Sequence, residues 1–176
     1  MRKYVLVSML ISGVFTSSAF AAAEVDVTWQ DPDSYTDVRG SNESNSKFKK
    51  RTFKELESYF TEMAEALPDG QKLAITVTNL DLAGQVWPSS FIGFGASAGS
   101  EIRLIKRVDI PRISFNYTLT DADGQEVKSA EVKLKDMGFM DGTVRFMQHD
   151  NLAYEKQMLK DWFREEMASV VVKNNV

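Results

Sequence analysis

Between Arg112 and Thr120 apolar and polar residues alternate without a break. Ile113, Phe115, Tyr117 and Leu119 fall on one side, and Arg112, Ser114, Asn116 and Thr118 on the other. A period of two marks a half-buried strand, because successive side chains leave a pleated backbone on opposite faces. Asp121-Ala122-Asp123-Gly124 follows, and beyond it Ala130, Val132 and Leu134 alternate with Glu131, Lys133 and Lys135. Gly124 supplies the positive φ that a tight turn needs, so the two runs are predicted to form an antiparallel hairpin. With one apolar and one polar face, such a sheet calls for a single covering layer. Val127 is out of phase with the return strand, which predicts a bulge or twist near Lys128-Ser129.

Two helical patterns can supply that layer. Phe53, Leu56, Phe60, Met63 and Leu67 recur every three or four residues among Lys54, Glu55, Glu57, Glu62 and Glu65. They predict a one-sided helix over 47–67, capped from within Ser41–Ser46 and stopped by Pro68-Asp69-Gly70. From Asn151, Leu152, Glu155, Leu159, Trp162 and Phe163 mark a second such helix, with Asp150 or Asn151 as cap. Shorter alternations at Val25–Trp29, Leu73–Val77 and Ile102–Leu104, the last extended toward Val108 and Pro111, predict further strands. The order is β-α-β-β-β-β-α. It predicts an α+β two-layer sandwich: a mostly antiparallel sheet of about five strands with both helices on one face. The first two strands, joined through a helix, are expected as parallel neighbours with a right-handed crossover.

The N-terminus carries an address. Met1-Arg2-Lys3 precedes an apolar run from Tyr4 to Val14 and the small-residue site Ala19-Phe20-Ala21. This is the pattern of a secretory signal peptide, with cleavage expected after Ala21 and Ala23 as the second choice. Residues 1–21 are therefore the expected signal, and 22–176 one domain. The apolar run is shorter than the roughly 20 residues of a membrane span, and without cysteine there is no lipobox, so lipid anchoring by that route is excluded. The expected location is the periplasm, with no stable membrane anchor after cleavage. Cleavage removes Arg2 and Lys3 and no acid, so the net charge of −4 becomes more negative still. That balance argues against nucleic-acid binding. The lack of cysteine also excludes a disulfide framework, a thiol nucleophile and a cysteine zinc site.

Chemistry is sparse. Gly95-Ala96-Ser97-Ala98-Gly99 matches the G-x-S-x-G elbow of serine hydrolases, and a triad with Asp109 or Asp136 and His149 can be written. The elbow needs a strand before it and a helix after it, whereas the residues from Glu101 to Leu104 read as a strand. His149 is the only histidine; beside Asp150 it favours a charged, capping imidazolium over a general base. Asp121-x-Asp123-Gly124 starts like a calcium loop, but Val132 stands where the bidentate glutamate belongs. Asp31, Asp33 and Asp37 read as a solvated acidic turn, and Gly93-x-Gly95 does not open a helix. No catalytic residue, metal ligand or cofactor is assigned.

Two long connections remain, Gln85–Glu101 and Asp136–Asp150, both rich in large apolar residues. Connections of such length are usually functional or disordered, and a merely disordered one would lack these side chains. Trp87, Phe91 and Phe94 in the first, with Tyr154 on the second helix, are the candidate binding residues. The rival role for the loop aromatics is to plug an open end of the core. The leading expectation is a non-catalytic domain binding an unknown protein or envelope ligand; the alternative is a small serine hydrolase using Ser97 and His149.

Several short segments occur in a telling order: Asp31-Pro32 with Tyr35-Thr36-Asp37, Asp81-Leu82-Ala83-Gly84, Pro111-Arg112-Ile113, Asp121-Ala122-Asp123-Gly124, Asp136-Met137, and Tyr154-Glu155-Lys156 through Met158-Leu159 to Trp162-Phe163. Together they resemble the bacterial secreted proteins grouped as domain-of-unknown-function family 3016. The resemblance spans nearly the whole expected mature chain. It implies a single exported domain and brings no catalytic residue with it.

Overall fold

The computed structural model describes residues 22–92, 99–141 and 150–171. In chain order they form β1 (Glu24–Trp29), α1 (Asn45–Ala64), β2 (Lys72–Asp81), β3 (Gln85–Pro88), β4 (Glu101–Leu104), β5 (Arg112–Thr120), β6 (Glu126–Lys135) and α2 (Ala153–Glu166). A short 3-10 turn, Ser89–Ile92, follows β3. The main sheet has the order β1-β2-β5-β6. β1 runs parallel to β2, and the remaining pairs are antiparallel.

The alternating residues do what their period requires. Leu73, Ile75 and Val77 of β2 and Ile113, Phe115, Tyr117 and Leu119 of β5 are buried on one face. The Phe115 ring lies 6.0 Å from Phe60 of α1 and 4.8 Å from Trp162 of α2. Both helices therefore cover the same face, and the α+β sandwich holds. Ser44 caps α1, its hydroxyl accepting from the Lys47 amide. Trp29 stacks on Phe53 at 4.2 Å and donates its indole N–H to Glu57, which ties β1 to the helix that follows it.

Bulges explain two breaks in the pattern. Val77 pairs with Phe115 and Asn79 with Ser114, so Thr78 is an extra residue. It shifts the phase of β2, and Leu80 continues the buried face that Val77 left. In the hairpin, Leu119 pairs with Lys128 and Thr120 with Glu126, so the bulge falls on Val127. That is one residue before the expected position.

The single sheet of about five strands needs correction. The third predicted strand is β4, and it pairs not with the main sheet but with β3, in a separate two-stranded ribbon. β3 lies inside the stretch expected as a loop. The strand also stops at Leu104, short of Val108. β4 is half-buried along its whole length instead of alternating, so its period carries no sign of which surface it joins. α2 begins at Ala153, and Asp150 accepts from the Leu152 amide just ahead of it. Among the described residues no helix is long and apolar enough to cross a membrane.

Candidate functional site

Most of the segments singled out by the resemblance come together at the end of the sheet where β1 and β2 finish; Asp121–Gly124, the β5–β6 turn, lies at the opposite end. Thr36 bridges to Asp81, and Asp81 pairs with Arg112 at 2.6 Å. The Asp136 amide donates to the Pro111 carbonyl. Glu155, in the first turn of α2, accepts from the Ala83 amide at 2.7 Å. Positive φ at Gly84 lets the chain turn tightly into β3, with the Leu104 carbonyl where a Cβ would stand.

Arg103 locks the ribbon to this end. Its guanidinium donates to the carbonyls of Ala83, Gly84, Asp37 and Arg39. Its carbon lies 5.6 Å above the Phe48 ring of α1. Burial pulls its pKa down, while the negative fields of Asp37 and Glu155 oppose that shift. Asn42 accepts from the Glu101 amide and donates to its carbonyl, and Arg39 pairs with the Glu101 carboxylate. The ribbon is thus fastened along both strands, and its far end sits against the start of α1.

Glu155 is 1% exposed. Loss of hydration pushes its pKa up to about 6, although the Ala83 amide favours the charged form. Its second oxygen has no hydrogen-bond partner among the described residues. Asp81 is also shifted upward by burial, against the pull of Arg112. A carboxylate so enclosed can exchange a proton with solvent, but it is not placed to meet a substrate. Its evident work is to hold the Ala83–Gly84 turn against α2.

The expected binding residues divide. Trp87 lies in β3, half-buried, with the Lys106 ammonium 5.1 Å from its ring centroid and the Phe91 ring at 6.3 Å. Its indole nitrogen is buried and has no partner among the described residues. Phe91, in the 3-10 turn beyond it, is 76% exposed, so it does not plug the core. Tyr154, the candidate on the second helix, is half-buried with Phe139 edge-on at 4.8 Å. Phe139 itself is buried, so part of the Asp136–Asp150 connection does plug the end. Phe94, Ser97 and His149 lie outside the described residues. Glu101, two residues past Gly99, opens a strand and not a helix. Asp121 accepts from the amides of Asp123 and Gln125, and its carboxylate is committed to the hairpin turn. Among the described residues no group of three or more His, Asp or Glu side chains is placed to hold a metal ion.

Sequence reasoning missed Arg103 altogether. Glu155 left one signal: a carboxylate standing between Leu152 and Leu159 on an otherwise apolar helical stripe.

No curated protein and no solved structure is significantly similar to this chain. A family profile does match it over residues 23–165, which takes in the sheet, the ribbon and nearly all of α2; the chain belongs to the family described as Protein of unknown function (DUF3016).

Proposed function

We propose that this chain is an exported, non-catalytic binding domain of the bacterial cell envelope, and that it binds through the β3–β4 ribbon. The observation that carries the reading is Phe91. A phenylalanine 76% exposed, beside Trp87, sits on a ribbon that Arg103, Arg39 and Asn42 hold in place. An aromatic side chain offers large contact area with few rotors to freeze, and aromatic anchors often dominate binding energy. The pre-set ribbon lowers the ordering cost of binding further. Export is supported by Arg2-Lys3, the apolar run and Ala19-Phe20-Ala21.

Two measurements test this. The intact mass of protein recovered from the periplasm should begin at Ala22, or at Glu24; a mass retaining Met1 sinks the export half. A photo-crosslinking phenylalanine analogue placed at position 91 should yield specific adducts in intact cells, and one placed at Asp123, on the hairpin turn, should not. Equal labelling from both positions, or none from 91, ends the ribbon reading.

A further inference from the structure

We propose that the ribbon end of the domain docks on the surface of an anionic lipid bilayer. The proposal rests on the ribbon being a binding surface and names what it binds. Its first support is where the apolar side chains are. Phe91 and Val108 are each 76% exposed and Met137 is 73% exposed. They stand on three separate turns, all beyond the same end of the main sheet. The turns are linked: Lys106 lies over Trp87, which neighbours Phe91, and Arg107 pairs with Asp141 across to the turn that carries Met137.

The second support is charge. Lys47, Lys50, Arg51 and Lys54 follow the i, i+3, i+4, i+7 spacing of one helical face. All four are exposed, on the side of α1 opposite Phe48, Thr52 and Leu56. Arg51 pairs with Glu43, whereas Lys47, Lys50 and Lys54 form no ion pair with any described residue. The first turn of α1 has no acidic residue, so the helix dipole adds to this positive field. The stripe starts beside the ribbon, because Asn42 binds Glu101 and Glu101 pairs with Pro88, next to the turn that carries Phe91. At the other end of the molecule Glu65, Asp69, Asp123 and Glu126 are all exposed. The ribbon end also exposes Asp31, Asp33 and Asp141, but Asp33 pairs with Lys49 and Asp141 with Arg107. The unpaired exposed charge there, among the described residues, is mainly that of the lysines, and an anionic surface would favour that end.

The form of the surface favours lipid over a folded protein. Apolar tips on three separate turns, with Met140 40% exposed beside Met137, would each need a matching recess in a rigid partner. A fluid headgroup layer admits them singly, and flexible unpaired lysines suit its diffuse charge.

The test uses the chain from Ala22 onward, which contains every core residue among the described residues, in co-sedimentation with vesicles. Wild type should sediment with phosphatidylglycerol-containing vesicles and much less with pure phosphatidylcholine, and raised salt should release it. Each lysine near an anionic surface is worth about 1 kcal/mol, so Lys47→Gln with Lys50→Gln and Lys54→Gln should lower the partition coefficient about a hundredfold. Phe91→Ser with Val108→Ser and Met137→Ser should weaken binding to the same vesicles while the thermal melt is retained, since all three side chains are exposed. Failure of wild type to sediment with anionic vesicles overturns the proposal, and so does salt-insensitive binding to both vesicle types or wild-type binding by either triple variant. If vesicle binding fails while position 91 still crosslinks to a protein, the lipid surface is refuted and the ribbon reading stands.

Discussion

Replacing Glu155 with glutamine isolates the cost of burying one ionised carboxylate. The side chains have nearly the same shape, and the glutamine oxygen can still accept from the Ala83 amide, which reaches Glu155 at 2.7 Å. The folded protein raises the Glu155 pKa from 4.5 to about 6, chiefly through loss of hydration. A raised carboxylate pKa means that the fold prefers the neutral form. The contribution to stability is thus complete below the unfolded value near 4.5, declines as pH rises, and is gone above about 6. That shift of roughly 1.5 units corresponds to about 2 kcal/mol. Between pH 4 and pH 8, wild type should lose about 2 kcal/mol that Glu155→Gln does not lose. Other groups titrate as well; Asp33, Asp150 and Glu166 are shifted downward and lose their stabilisation on the acid side. They are common to both proteins, so the difference between the two urea-derived curves removes them. The glutamine amide also gains N–H groups where the second Glu155 oxygen has no partner among the described residues. That penalty offsets the whole curve without changing its slope. A difference that stays flat from pH 4 to pH 8 would show that Glu155 titrates as an ordinary surface carboxylate, and would refute the account of the Ala83–Glu155 contact.

Two further predictions concern the frame around the site. Phe115→Ala should cost about 3–5 kcal/mol in urea unfolding, because it empties the space where α1 and α2 meet the sheet; a loss below 1 kcal/mol would mean that the rings of Phe60 and Trp162 do not depend on it. Gly84→Ala should destabilise more than Gly124→Ala, although both glycines have φ near +78. At Gly84 a Cβ would meet the Leu104 carbonyl oxygen at 2.7 Å, whereas at Gly124 it meets nothing within 4 Å. The turn variant should therefore lose only the backbone cost of about 1–2 kcal/mol, and equal losses would argue that β4 gives way freely.

How much of this was legible beforehand depended on the range of the interaction involved. The β5–β6 hairpin, the caps of α1 and the one-sided helices are written in neighbouring residues, because period, turn chemistry and helix termination act over a few positions. Even the bulge at Val127 showed as a break in phase, displaced by one residue. The ribbon did not show. β4 is half-buried throughout, and its partner lay in a stretch whose glycines and aromatics resemble those of a loop. Arg103 was invisible because its four acceptors are backbone carbonyls drawn from two distant segments, and every residue has a carbonyl. The choice between plug and surface was likewise beyond reach: Phe91 and Phe139 are the same residue type on similar connections, yet one is exposed and the other buried. Sequence alone determined which residues form the main-sheet strands and the two helices, and which side of each seeks apolar cover. Only the tertiary structure decided which loops the ends of the sheet brought together, since that depends on contacts between residues far apart in the chain, and those leave no periodic trace.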